Sequence, residues 1–267
     1  MIKLIATDID GTILVPESEF SKEIKDCIKQ ITNSGIKVVL VTGRMNAAAV
    51  QIARELELNT PVISYQGGLI NENGKYIYER YLTEDISNRI IDWAKSENIH
   101  LNLYNNDILY SESDCYEIQR YCNNLHTVFE AKKFKDIKKD KINKLLAIDY
   151  NNPDRIGKYE KELPRIFPEL YIVKSTPYFL EFSNKEASKY CAVKFLQKYW
   201  NLKDDEILTI GDQNNDIALL QAGGIKIAMG NATEELKSVA DYITDTVQNN
   251  GFIKAINKFC PNILSEV

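Results

Sequence analysis

Soft metal ligands are scarce in this 267-residue chain, which has only two histidines, His100 and His126, and five cysteines. No two cysteines stand at Cys-x-x-Cys spacing, and the odd count leaves at least one thiol unpaired. A site of thiolates and imidazoles needs clustered ligands, so the spacing predicts no zinc site. The expectation is a set of reduced thiols in a reducing compartment. Long apolar runs are missing too: none approaches the roughly 18 residues that cross a bilayer. Lys3, Asp8 and Asp10 interrupt the stretch that a secretory signal would keep apolar. A cytoplasmic protein with no membrane partner is expected. A basic excess is absent, with 33 Lys and Arg against 38 Asp and Glu, for a net charge of -5. That argues against a nucleic-acid partner but allows a local pocket for a small anion. No internal repeat and no low-complexity linker is present.

What is present begins with a rhythm. Ile2 to Ala6 reads as a buried strand. Ser21 caps a helix with Ile24, Cys27, Ile28 and Ile31 on one face, and Gly35 ends it. Ile36 to Val41, a helix carrying Val50, Ala53 and Leu56, and Pro61 to Ser64 continue a β-α-β-α-β alternation expected of a parallel sheet. A hairpin turning at Asn73-Gly74 then breaks the pattern. Short strands and helices mix from Thr83 to about Asn184, which predicts an α+β insert. The β-α rhythm resumes at Lys185, with strands at Ile207 to Ile210, Ile225 to Ala228 and Tyr242-Ile243. Asn231, three residues before Glu234, reads as a helix-capping pair.

Two features of the insert are read as structural. Lys132 to Lys144 is lysine-rich, but acids interleave with the lysines, so it reads as a solvated face. The tyrosines from Tyr104 to Tyr178 read mostly as packing, with Tyr178 the first candidate for stacking on a ligand.

The chemistry sits at strand ends. Asp8 and Asp10 end the first strand, Thr42-Gly43-Arg44 the second, Gln66-Gly67-Gly68 the third, and Gly211-Asp212 through Asn215-Asp216 a later one. Parallel strands gather these ends along one edge, where open α/β sheets bind ligands. Two carboxylates about 4 Å apart repel by roughly 4 kcal/mol at an effective dielectric near 20. Such a cluster needs protons or a cation, and Mg²⁺ suits hard oxygen ligands. With the Thr42 hydroxyl, the Gly43 amide and the Lys189 ammonium, the edge describes a phosphate site. One carboxylate of the first pair is placed to attack phosphorus and the other to move the proton. Arg44 fits either a substrate contact or an ion pair that supports its loop. Lys185 and Lys194 compete with Lys189 for the cationic role.

In order, Asp8-x-Asp10-Gly11-Thr12, Thr42-Gly43-Arg44, Lys189, Gly211-Asp212-x-x-Asn215-Asp216 and Ala228-Met229-Gly230-Asn231-Ala232 resemble the haloacid dehalogenase superfamily phosphatases. The similarity is to their Cof-like branch with a large (C2B-type) cap, and it covers essentially the whole chain. It implies a Rossmann-like parallel-sheet core, residues 1–82 and 185–267, with an inserted α+β cap at 83–184. It implies Asp8 as nucleophile and Asp10 as general acid/base. Mg²⁺ would be held by Asp8, the Asp10 carbonyl and Asp212, supported by Asn215 and Asp216. Thr42, Gly43 and Lys189 would bind the phosphoryl group, with Arg44, Gln66 and Gly67 as substrate contacts. The branch often has Asn where this chain has Gln66, which keeps the amide but reaches one methylene further.

The resemblance implies a phosphatase of small phosphorylated metabolites working through an aspartyl-phosphate. Phosphoryl transfer to a sugar phosphate, as in capped phosphomutases, is the alternative, with a non-catalytic metabolite-binding regulator ranked below it. A monomer or weak homo-oligomer is expected.

Overall fold

Every residue of Leu4–Thr7, strand β1, is buried. Strands of a parallel sheet covered on both faces read as unbroken apolar runs, which is why Leu4-Ile5-Ala6 shows no alternation. The computed structural model describes residues 1–16, 18–125, 127–261 and 263. His126 lies outside them.

After β1 come α1 (Lys22–Asn33), β2 (Lys37–Leu40), α2 (Asn46–Glu55), β3 (Val62–Ser64), β4 (Leu69–Glu72) and β5 (Lys75–Glu79). Ser21 caps α1 by accepting from the Ile24 amide at 3.2 Å, and Gly35 ends it at φ 87°. Asn73 and Gly74 both have positive φ, as the tight hairpin between β4 and β5 requires. The middle of the chain holds α3 (Glu84–Ser96), β6 (His100–Asn105), β7 (Ile108–Ser111), α4 (Tyr116–Leu125), β8 (Glu130–Ala131), β9 (Ile142–Ile148), α5 (Pro153–Ile166), β10 (Leu170–Thr176) and β11 (Phe179–Asn184). The last third holds α6 (Lys189–Tyr199), β12 (Ile207–Gly211), α7 (Ile217–Leu220), β13 (Ile225–Ala228), α8 (Glu234–Lys237), β14 (Tyr242–Ile243) and α9 (Gly251–Phe259).

Met1–Tyr78 and Ser188–Val267 form one unit and Glu79–Ala187 another. The first is built on a parallel sheet in the order β14-β13-β12-β1-β2. Strand β1 therefore has β2 on one side and β12 on the other. The chain winds outward from it in both directions, which makes its carboxyl end the topological switch point. Register does the rest: Thr7 lies beside Ile210, so Asp8 and Asp212 leave the sheet as neighbours.

The structure differs from the sequence reading at β3. A single parallel bridge, Val41 to Ile63, joins it to the end of β2. Its main pairing is antiparallel, with β4. Tyr65, Gln66 and Gly67 all have positive φ and reverse the chain at once, so β3 pairs with the returning β4 and its parallel pairing stops at one bridge. Thr233, not Asn231, caps α8, accepting from the Leu236 amide at 3.3 Å.

The second unit carries a six-stranded sheet in the order β10-β11-β9-β6-β7-β8. Leu103, Leu145, Leu180 and Phe182 face a core completed by Ile90 and Ala94 of α3 and Ile156 and Leu163 of α5. Helix α4, which the sequence reading lacks, lies against the other face. There Tyr121 packs on Phe179 and shares a 2.6 Å hydrogen bond with Tyr104. Tyr178 is half-buried, 5.5 Å from the ring of Tyr150, while Arg120 lies 4.1 Å over that ring.

The lysine-rich run is solvated at Lys132, Lys133, Lys135, Lys138 and Lys141, but not throughout. Lys139 and Lys144 are buried. Lys144 Nζ donates to Glu181 Oε2 at 2.7 Å and lies 4.9 Å from the Tyr104 ring. Lys144 belongs to β9, which is buried along its whole length, so both faces of the strand are covered whatever the charge pattern. Removing one partner of a buried ion pair costs about 3–5 kcal/mol, whereas replacing both with apolar groups is close to neutral. Lys144→Met is therefore expected to lower stability by that amount, and Lys144→Met/Glu181→Leu to recover most of it, as read by thermal and urea unfolding.

Candidate active site

Asp8 follows β1 directly, and its amide donates to the Ile210 carbonyl at 3.0 Å, which extends the ladder by one residue. Asp212 follows β12 directly. Asp216 closes the 3-10 turn after it, and its Oδ2 accepts from the amides of Asp212 (3.0 Å) and Gln213 (3.1 Å). Lys189 is the first residue of α6, a helix capped by Ser188 at 3.2 Å from the Cys191 amide. Its ammonium is fully buried and donates to Asp8 Oδ1 at 2.6 Å and Asp216 Oδ1 at 2.5 Å. The other lysines are engaged elsewhere: Lys194 with Asp204 at 2.7 Å and Lys185 with the Pro168 carbonyl at 2.9 Å.

Two glycines let the backbone close on this cluster. At Gly11, φ is +82° and a Cβ would stand 2.3 Å from Asp212 Oδ2. At Gly67, φ is +103° and a Cβ would stand 2.2 Å from the Ser188 carbonyl oxygen. The predicted residues around Thr42 join by another route. Thr42 is buried, its hydroxyl accepts from the Arg44 amide at 3.1 Å, and its carbonyl accepts from the Gln66 amide at 3.0 Å. The half-buried Gly43 lies between Thr42 and Arg44. Gln66 is buried in the left-handed region at φ 58°, and its Oε1 accepts from Asn215 Nδ2 at 3.1 Å.

Arg44 takes the ion-pair option. Its Nε and Nη2 donate to the two carboxylate oxygens of Asp10 at 2.8 and 2.5 Å. Asp10 thus turns toward Arg44 while Asp8 turns toward Lys189. Sequence reasoning left out three residues that surround Asp212. Thr12 Oγ1 donates to it at 3.3 Å and Gln213 Nε2 at 3.0 Å. Asn231 Nδ2 binds the Gly11 carbonyl at 2.9 Å and Asp212 Oδ2 at 3.4 Å, while its Oδ1 accepts from the Val247 amide at 2.9 Å. Thr12 and Asn231 stand inside the quoted motifs; nothing in the sequence marks Gln213 beyond its place next to Asp212.

Electrostatics follow from burial. Burial, with the Asp216 carboxylate next, pushes Asp8 well above the usual carboxylate range, although Lys189 pulls it down. Asp212 is pushed up to about 7 by burial and then by Asp216. Burial alone would lower Lys189; Asp216 and Asp8 outweigh it and raise the ammonium above its ordinary value.

Asp8, Asp212 and Asp216 each offer an oxygen within 4.8 Å of the others, all buried. At that distance each like pair repels by about 3–4 kcal/mol at an effective dielectric near 20. Lys189 offsets part of this. A hard divalent cation would offset the rest, and the all-oxygen donor set suits one. Asn215 Oδ1 is a further buried oxygen with no hydrogen-bond partner among the described residues. The residues present fit a cation of that class.

Comparison with known proteins bears on the family and the fold. The family model for haloacid dehalogenase-like hydrolases matches residues 5–256. The protein M6_Spy0533 of Streptococcus pyogenes is 31% identical, over 98% of this chain and 99% of its own. The 5-amino-6-(5-phospho-D-ribitylamino)uracil phosphatase YwtE of Bacillus subtilis is 28% identical, over 94% of this chain and 95% of its own. The solved structure of a haloacid dehalogenase-like hydrolase from B. subtilis superposes with a TM-score of 0.86 at 26% identity, covering 97% of this chain and all of that one, 100%.

A carboxyl raised in the folded state penalises the fold as it ionises. Its penalty is absent below the unfolded value near 4 and complete above the folded one. In chelator-treated protein the melting temperature of Asp212→Asn, relative to wild type, is therefore expected to climb as pH rises from about 4 to about 7 and then level off. Scanning calorimetry of both proteins across that range checks the slope.

Proposed function

The chain belongs to the haloacid dehalogenase-like hydrolases, and from that membership we propose a Mg²⁺-dependent phosphatase of small phosphorylated metabolites that works through an aspartyl-phosphate on Asp8. One observation carries the reading. Asp8 stands at the switch point of the sheet with Lys189 at 2.6 Å and the carboxylates of Asp212 and Asp216 beside it. A carboxylate so surrounded is fixed in direction and flanked by groups that hold a cation and a phosphoryl group.

The roles follow residue by residue. An Asp8 oxygen attacks phosphorus, forming the O–P bond as the ester O–P bond breaks. Asp10 gives its proton to the leaving oxygen. It then takes a proton from water, whose oxygen bonds to phosphorus as the Asp8 O–P bond breaks, which releases phosphate and restores Asp8. Arg44 holds both oxygens of Asp10, so that fork must open for the proton to move. Thr42 and the Gly43 amide bind phosphoryl oxygens, and Lys189 offsets their charge. Asp8, the Asp10 carbonyl and Asp212 hold Mg²⁺, with Asp216 and Asn215 supporting them. When bound, Mg²⁺ supplies positive charge that gathers the phosphoryl oxygens and relieves the carboxylate repulsion.

The Glu79–Ala187 unit serves as the cap that selects the substrate. Gln66, tied to Asn215, reports to the phosphate end through Thr42 and, with Gly67, stands near the substrate. The ribitylamino-uracil phosphate ester named for the B. subtilis relative is the first compound to try, followed by sugar phosphates and pyridoxal phosphate.

Hydrolysis of p-nitrophenyl phosphate in metal-controlled buffer tests the reading. Chelation is expected to abolish turnover and Mg²⁺ to restore it. Asp8→Asn is expected to lower kcat by about 10⁴-fold or more, as loss of a nucleophile does. Asp10→Asn is expected to lower it by about 10²–10⁴-fold, the usual range for acid–base catalysis. Turnover by Asp8→Asn at the wild-type rate would overturn the proposal.

A further inference from the structure

Three side chains of the Glu79–Ala187 unit converge where α4 begins. Cys115 Sγ lies 3.2 Å from His100 Nδ1. Glu117, two residues on and in the first turn of α4, adds a carboxylate oxygen, and the three ligand atoms lie within 4.8 Å of one another. His100 opens β6, and the β6–β7 hairpin returns the chain so that residues 15 positions apart meet. Sequence spacing predicts no zinc site because spacing rules look one or two turns away, not across a hairpin.

The protonation pattern suits a ligand. Asn102 Oδ1 lies 2.8 Å from His100 Nε2 and can only accept, so that nitrogen carries the proton. Nδ1 is then the bare nitrogen, and it faces Cys115. An oxygen that orients a histidine through its far nitrogen is the usual support of a metal-ligating imidazole. In a tetrahedral site with Zn–S about 2.3 Å and Zn–N about 2.0 Å, sulfur and nitrogen stand about 3.5 Å apart. The observed 3.2 Å is close to that.

A thiol hydrogen-bonded to a neutral imidazole would show the same distance with two members. Glu117 separates the two cases. Its carboxylate makes no hydrogen bond or ion pair with the described residues, and it is half-buried beside the pair. With His100 it also lines a cavity of about 370 Å³ walled by Asp149, Asn152 and Arg155. A site with three protein ligands and one side open to a cavity keeps a coordination position free.

We propose that His100, Cys115 and Glu117 bind a borderline-soft divalent cation, Zn²⁺ foremost, with the fourth position facing that cavity. Thiolate with imidazole selects against Mg²⁺ and Ca²⁺. Binding replaces the thiol proton of Cys115, which leaves to solvent. The site shares no residue with the carboxylate cluster around Asp8.

Co²⁺ is the probe, titrated into the reduced full-length protein with excess Mg²⁺ present to occupy the carboxylate cluster. A thiolate-to-cobalt charge-transfer band in the near ultraviolet reports a cysteine ligand, since carboxylates give none, and Cys115→Ser distinguishes Cys115 from the other four thiols. The band is expected to saturate at one equivalent and to be bleached by Zn²⁺. It is expected to vanish in Cys115→Ser, and Glu117→Gln is expected to weaken cobalt binding by about 10-fold or more. Should Cys115→Ser fail to fold by circular dichroism, Glu117→Gln, whose side chain is half-buried, carries the test. No band at excess Co²⁺, a band that survives in folded Cys115→Ser, or unchanged affinity in Glu117→Gln overturns the proposal.

Discussion

The buried ammonium of Lys189 is the constraint on which the rest of the site depends. It lies between Asp8 and Asp216 at 2.6 and 2.5 Å, with almost no exposure. A lone buried carboxylate costs several kcal/mol, and two in contact cost more. One cation shared by two anions leaves the cluster a net negative charge, which a divalent cation can then offset. The helix that carries Lys189 must start within reach of both strand ends. That explains why Gly67 presses against the Ser188 carbonyl: the approach admits no side chain.

Much of this was legible in the sequence because it is local chemistry at strand ends. Asp8, Thr42 and Asp212 stand at the ends of apolar runs, with Asp10 two residues beyond Asp8, and those runs are the strands. Lys189 was separable from Lys185 and Lys194 by its place in the ordered motifs, and the structure shows it alone of the three in the carboxylate cluster. Arg44 was not separable. Whether an arginine grips a neighbouring acid or a ligand depends on where its long side chain folds back, and no pattern in the sequence encodes that.

What escaped reading did so because tertiary geometry overruled a local signal. The β-branched run of β3 reads as one more parallel strand, yet three successive positive φ angles hand it to a hairpin. Lys144 sits in a run of lysines but also in a strand covered on both faces, where it pairs with Glu181. Asn231 looks like a helix cap and instead ties Gly11 and Asp212 to the Val247 amide. His100 and Cys115 carry no signal until a hairpin closes between them. For Lys144, Asn231 and His100 the deciding partner lies too far along the chain to infer.

The order β12-β1-β2 has a consequence for synthesis. Strand β1 is interior to the parallel sheet, and its neighbour β12 is made some 200 residues after it. At about 5–20 residues per second, β1 leaves the ribosome with one edge unsatisfied for roughly 10–40 seconds. Glu79–Ala187, which is continuous in the chain, emerges whole during that interval. Nascent chains therefore hold β1 without its β12 neighbour while Glu79–Ala187, a continuous segment with its own apolar core, is completed, and an unpaired strand edge of that kind is prone to association.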